Sequence, residues 1–285
     1  YYVSVKHFCS FLNFSKFKQK LDAIPESSNV VVDFSLCEFV DHTVMESLNN
    51  YQELFFKKEG VFEVIGLDLH GSESKHPFAL RRLLPISNII PNNLTKRQKS
   101  LELLSQEYEL IYDSDKHKGV HFLDDFLFFK TKKVIQTYNE ISNADKTFKL
   151  FDITFSEGEF IAKEVVRSTM LYFEVESKSA PQFTLDREGF LEKVYALAGF
   201  TDIQIDGHPD FSNRFFLLGE SEEQILKFFD KDIVQFFESN PYYHVESNGK
   251  GFLVFSKERL ASITETKSLI DFSKRLQRVI KKIST

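Results

Sequence analysis

The chain opens with a strict alternation, "YYVSVKH", which predicts a β-strand, and "FCS" adds a second short apolar piece. The period then changes to three and four. Phe14, Phe17, Leu21 and Ile24 fall on one side of a helix that Pro25 stops. "NVVVDFSL" is a continuous Val-rich run, the pattern of a strand buried on both faces. "TVMESLNNYQELFFKKEG" returns to helical spacing, with Val44, Leu48, Tyr51 and Phe55 inward, Lys57 and Lys58 in the last turn and Gly60 as the stop. "VFEVIGLD" is another buried strand, and "HPFALRRLL" predicts one or two helical turns. The order β-β-α-β-α-β-α makes residues 1–92 a small α/β domain with a central sheet covered by helices.

"PISNIIPNN" reads as a link. Beyond it the pattern changes. "LTKRQKSLELLSQEYEL" predicts a helix capped by Thr95 that fits either side of the boundary. "FKLFDITFSEGEFIAKEVVRSTMLYFEVES" predicts two long strands around a "SEGE" turn. "PQFTLDREGFLEKVYALAGF" starts extended and becomes helical, and "RFFLLGESEEQILKFFDKDIVQFF" is a strand followed by helices. "YYHVESNGKGFLVF" is a hairpin turned at "NG". The end is an amphipathic helix with Leu269, Phe272, Leu276, Val279 and Ile283 inward. Residues 93–285 are therefore an α+β domain with long antiparallel strands.

Composition narrows the function. Phe occurs 32 times in 285 residues and Trp never, so the core is aromatic. A net charge of −6 argues against a nucleic-acid binder. The two cysteines, Cys9 and Cys37, lie in apolar strand-like segments, where they pack as small apolar groups in a reducing compartment. No run is long and apolar enough for a membrane helix. The sequence has no "G-x-S-x-G" elbow, no phosphate-binding glycine loop and no metal-site spacing. No reaction, cofactor or metal is expected.

The richest polar junction is "FVDHTVM", where the Val-rich strand meets a helix. "TVME" fits a capping box in which Thr43 accepts from the backbone at Glu46 and Glu46 reaches back. Asp41 favours the same positive helix end. Asp68, His70 and His76 cluster in "GLDLHGSESKHP" and read as polar loop residues at the rim of the sheet; His208 in "GHPD" reads as a turn residue. Asp124 and Asp125 point to opposite faces if extended. The basic run "KRLQRVIKK" reads as a solvated helix face or a contact for anionic lipid.

"VVVDFSLCEFVDHTVMESL" followed by "EGVFEVIGLD" resembles the STAS domain of bacterial anti-sigma-factor antagonists and of SulP-type anion transporters. Upstream, "FLNFSKFKQKLDAI" is similar to the SulP version. The match covers about a third of the chain. It implies the fold above and a non-catalytic regulatory role, with Asp33, Ser35, Asp41, His42 and Thr43 as ligand or partner contacts. It also marks Thr43 as the phospho-acceptor position, although His42 stands where a Ser is usual and Val44 where a Gly would follow. A phosphate there would meet free N–H groups and a favourable dipole. The resemblance implies that the chain is the soluble, cytoplasmic C-terminal region of an inner-membrane anion transporter. Its partners would be the transporter's own membrane domain, a regulatory protein or a second copy of itself. The competing reading is a free-standing antagonist-like signalling protein switched at Thr43. The second domain resembles, in "LTKRQKSLELLSQEY", "FLDDFLFF" and "KLFDITFSEGE", an often membrane-associated bacterial module of unknown function.

Overall fold

The computed structural model describes residues 1–72, 74, 76–84, 94–158, 164–175, 180–187 and 201–283. Two compact units divide the chain, Tyr1–Leu103 and Leu104–Thr285. The division falls inside the helix Lys96–Glu107, later than the expected 92/93 boundary, and the "PISNIIPNN" link lies outside the described residues.

In the first unit, β1 (Tyr2–Cys9), α1 (Phe14–Asp22), β2 (Asn29–Val40), α2 (His42–Lys57) and β3 (Val61–Ile65) follow one another. β1 and β3 flank β2, both parallel to it. Val30, Val32 and Phe34 alternate onto one face of β2, and the core they form joins Phe14 and Leu21 of α1 to Val44, Leu48, Tyr51 and Phe55 of α2. Every apolar position assigned to α2 is buried.

Three expectations need correction. "YYVSVKH" and "FCS" are one strand, because a kink near His7, at φ 61, absorbs the break in alternation. "HPFALRRLL" is not helical. After β4 (His70–Ser72), residues Arg81–Leu83 form β5, antiparallel to the end of β2, with Phe39 opposite Arg82. One or two turns are too short to hold as a helix alone, whereas the sheet offers backbone partners at once. Glu59, not Gly60, takes the left-handed conformation that ends α2, at φ 59. Gly60 is needed for a different reason: a Cβ there would lie 2.1 Å from the Glu26 carbonyl oxygen.

The second unit contains a nine-stranded antiparallel sheet ordered β11-β12-β10-β13-β14-β9-β8-β7-β6. Its strands are β6 (Ile111–Asp113), β7 (Lys132–Ser142), β8 (Phe148–Glu157), β9 (Glu164–Glu174), β10 (Gln182–Asp186), β11 (Thr201–Asp202), β12 (Phe216–Gly219), β13 (His244–Asn248) and β14 (Gly251–Phe255). The two long strands around "SEGE" and the "NG" hairpin are as expected. The helix read into "LEKVYALAGF" lies outside the described residues. One sheet face carries Phe151, Ile153, Phe155, Met170 and Phe255 under a lid of Leu123, Phe126, Phe128 and Phe129. On the other, Phe183 and Phe252 meet Phe228 and Phe229 through ring contacts at 5.0–6.3 Å. The abundant phenylalanines thus fill both layers.

Three short helices, α4 (Pro209–Arg214), α5 (Glu222–Phe228) and α6 (Lys231–Glu238), precede the closing α7 (Ile263–Ile283). Leu269, Phe272 and Leu276 are buried as expected, but the next inward residue is Ile280, with Val279 half-buried, and the Ile283 side chain lies outside what the structure describes. A final step of four holds the stripe nearer to about 3.6 residues per turn. Asp124 and Asp125 sit in a turn, both exposed. Among the described residues no helix is long and apolar enough to cross a membrane.

Candidate functional site

The predicted site lies where β2 runs into α2. Asp41 is the N-cap, with one carboxylate oxygen accepting from Val44 N at 2.9 Å. The capping box expected of Thr43 and Glu46 is therefore displaced. Asp41 leaves the strand in an extended conformation that aims its short side chain at the first turn. Thr43 comes two residues into the cycle, exposed, with its carbonyl accepting from Ser47 Oγ.

Asp41 also reaches backwards. Its second oxygen accepts from Phe11 N at 2.6 Å, and Asp41 N donates to the Cys9 carbonyl. One carboxylate thus joins the β1–α1 loop to the α2 N-terminus. Replacing Asp41 with Ala is expected to cost about 1–2 kcal/mol of unit stability, as caps do. Hydrogen exchange should accelerate at Phe11 and Val44 together. Acceleration at Val44 alone would show that the loop does not depend on this bridge.

His42 lies exposed beside His76 and Phe78, with ring centroids 5.6 and 6.3 Å away. These side chains form an aromatic cluster at the helix end. Asp33 and Ser35 are not part of it. They lie on β2, six to eight residues before Asp41, which at ~3.3 Å per residue puts them roughly 20–25 Å away. Both are buried. Asp33 accepts from Ser35 N at 2.7 Å and from the Tyr2 hydroxyl. Gly66, at φ 83, packs closely against this stretch of β2, where a Cβ would lie 2.2 Å from Ser35 N. Their role is to shape the strand.

The "GLDLHGSESKHP" residues also separate. Asp68 and Arg97 form a buried ion pair at 2.9 Å, each side chain 1% exposed. Thr95 Oγ1 donates to the same carboxylate at 2.5 Å, and Thr95 and Gln98 cap the helix α3 (Lys96–Glu107) reciprocally. His70 is buried, its Nε2 2.7 Å from the Cys37 carbonyl. Only His76 remains an exposed loop residue. Cys9 and Cys37 are buried free thiols as expected; burial, with the Cys37 and Asp41 charges, pushes Cys9 up to about 12.

In the second unit a polar constellation not read from the sequence lies inside the aromatic layer. His244 Nδ1 is 2.6 Å from Asp186 Oδ2, and its Nε2 is 3.6 Å from Glu246 Oε2. Glu246 accepts from Leu127 N and, at 3.1 Å, from Phe128 N; Asp186 accepts from the Tyr242 hydroxyl and from Arg187 N. The His244 ring stacks on Phe255 at 4.3 Å. His244 and Glu246, two apart on one strand, signalled a shared face. Their third member, 58 residues earlier, came only from the β10–β13 pairing. All three are buried, and through Glu246 the cluster anchors the segment around Phe128.

A cavity of about 240 Å³ is lined by Thr169, Tyr243, Lys257, Arg259, Glu265 and Leu269, among others. Arg259 is already held by Glu265 at 2.5 and 3.1 Å, and Glu265 caps α7 with Ser262. Among the described residues no group of three or more His, Cys, Asp or Glu could hold a metal ion.

No protein-family model and no curated protein matches the chain. Among solved structures, the crystal structure of the mycobacterial trehalose monomycolate transport factor A, TtfA, is similar at a TM-score of 0.45 and 11% identity, over 67% of this chain and 95% of that one. A likeness at that level assigns neither a family nor an activity.

Proposed function

We propose that residues 1–103 form a STAS-like regulatory and interaction module without chemistry of its own, within the cytoplasmic region of a SulP-type anion transporter. The observation that carries the reading is local. Parallel β1, β2 and β3 lie side by side, and α2 opens directly on "FVDHT" with Asp41 as its cap. A strand that runs straight into a helix at "FVDHT" is what the resemblance implies for this junction, and it supports the reading. The exposed His42, Thr43 and His76 supply the surface for a regulatory partner or the transporter's own membrane domain. The test is the native product. An antibody against this chain should detect a protein much larger than 33.3 kDa that alkaline carbonate does not extract from the inner membrane. A carbonate-soluble product of about this chain's own mass would discard the transporter reading.

Exposure of Thr43 in the first helical turn favours a second reading, a free-standing antagonist-like protein switched by phosphate. Radiolabelled phosphate incorporated in lysate and lost in Thr43→Ala would support it; incorporation unchanged by that substitution would remove it.

A further inference from the structure

We infer that the β1–α1 end of the first unit is a docking surface for an anionic lipid bilayer. The inference goes beyond the proposed function and does not depend on it. Three large apolar side chains stand out at this end: Phe8 is 58% exposed, Phe11 65% and Leu12 78%. Single exposed apolar residues are ordinary, but Phe8 at the end of β1 and Phe11 and Leu12 in the loop after it fall within five positions and make this end apolar.

The loop is built to hold them outward. Asn13 Nδ2 donates to the Phe8 carbonyl at 2.8 Å, and Ser10 N donates to Asn13 Oδ1 at 2.8 Å. Asn13 N and Phe14 N both donate to the Ser10 carbonyl, and Asp41 takes Phe11 N. With the backbone tied in this way, Phe11 and Leu12 are left at the tip.

The charge around the patch selects the partner. Residues 1–20 contain Lys6, Lys16, Lys18 and Lys20 and no Asp or Glu, in a chain whose net charge is −6. Lys18 is paired with Asp22, but Lys6, Lys16 and Lys20 are exposed. Lys16 and Lys20, four apart, share one side of α1. Of the two acids on β2, Asp33 is buried and Glu38 is exposed one residue before Phe39, the register partner of Phe8. An acidic chain is repelled by an anionic surface unless it presents a locally basic face. Apolar side chains beside lysines match the interface, where rings and aliphatic groups enter the headgroup boundary and ammonium groups stay among the phosphates.

The test uses the full 285-residue chain. Because the chain has no Trp, Phe11→Trp is a single reporter. Its emission should shift to the blue with phosphatidylcholine vesicles containing phosphatidylglycerol, and much less with phosphatidylcholine alone. In flotation, Phe8→Ser/Phe11→Ser/Leu12→Ser and Lys6→Glu/Lys16→Glu/Lys20→Glu should each lower partitioning roughly tenfold or more. Absence of both the shift and flotation would overturn the inference. So would flotation that survives both variants and is lost in Arg278→Glu/Lys281→Glu/Lys282→Glu, which would move the contact to α7. A solution dimer that the Phe/Leu variant makes monomeric, without vesicle binding by either form, would also overturn it, by giving the patch to a second copy of the chain.

Discussion

Replacing His244 with Ala is expected to lower the stability of the 104–285 unit by about 3–5 kcal/mol, the cost of leaving buried charges without a partner. The side chain lies between Asp186 and Glu246 and is 2% exposed. Without the imidazolium, two carboxylates face one another in a layer of phenyl rings. Glu246 also holds the N–H groups of Leu127 and Phe128, so the loss should reach the lid segment. The change has a pH signature. Burial alone would lower the His244 pKa, but the contacts with Asp186 and Glu246 outweigh it and hold it at about 9. An unfolded His titrates near ~6.5. A folded value above the unfolded one stabilises fully below about pH 6.5, and that gain is lost as pH rises through about 9. Urea unfolding of the native chain should therefore show stability falling across that window, by an amount on the order of 3 kcal/mol. His244→Ala should be less stable throughout and lack this slope. Matching pH profiles for the two proteins would reject the charged imidazole.

Asp68→Ala should have a comparable effect on the first unit, again about 3–5 kcal/mol. Arg97 would keep its charge in a site where both side chains are 1% exposed, and Thr95 Oγ1 would lose its acceptor. Because Thr95 caps α3, the N-terminal turn of that helix should exchange its amides faster. The double variant Asp68→Leu/Arg97→Met should recover most of the loss, since an apolar pair of similar volume avoids desolvating either charge. A single variant as stable as the native chain would mean that water reaches the pair.

These two sites differ from Asp41–Thr43 in how readable they were. The α2 junction is local: a Val-rich strand, a short polar run and a helical stripe lie within thirty residues, and periodicity alone placed the helix start. Even there the cap moved from Thr43 to Asp41. Ser, Thr and Asp are nearly equivalent as caps, and the turn geometry after Val40 chose between them. The helical expectation for "HPFALRRLL" fails for the opposite reason. Its conformation depends on the free edge at Phe39–Val40, which pairs with Arg82 and Arg81 far along the chain.

Sequence alone determined the strands β1, β2 and β3, the helices α1, α2 and α7, the inward stripe of α2, and that Cys9 and Cys37 pack as apolar groups. Each of these follows from side-chain periodicity within one element. Tertiary structure alone decided that Asp68 meets Arg97 and that Asp186 meets His244. It also decided that Asp33 and Ser35 stand apart from His42 and that Phe11 and Leu12 point into solvent. Those outcomes depend on strand register and loop closure, which bring together groups that no local spacing relates. The cost of burying charge then turns such meetings into the strongest constraints in the molecule.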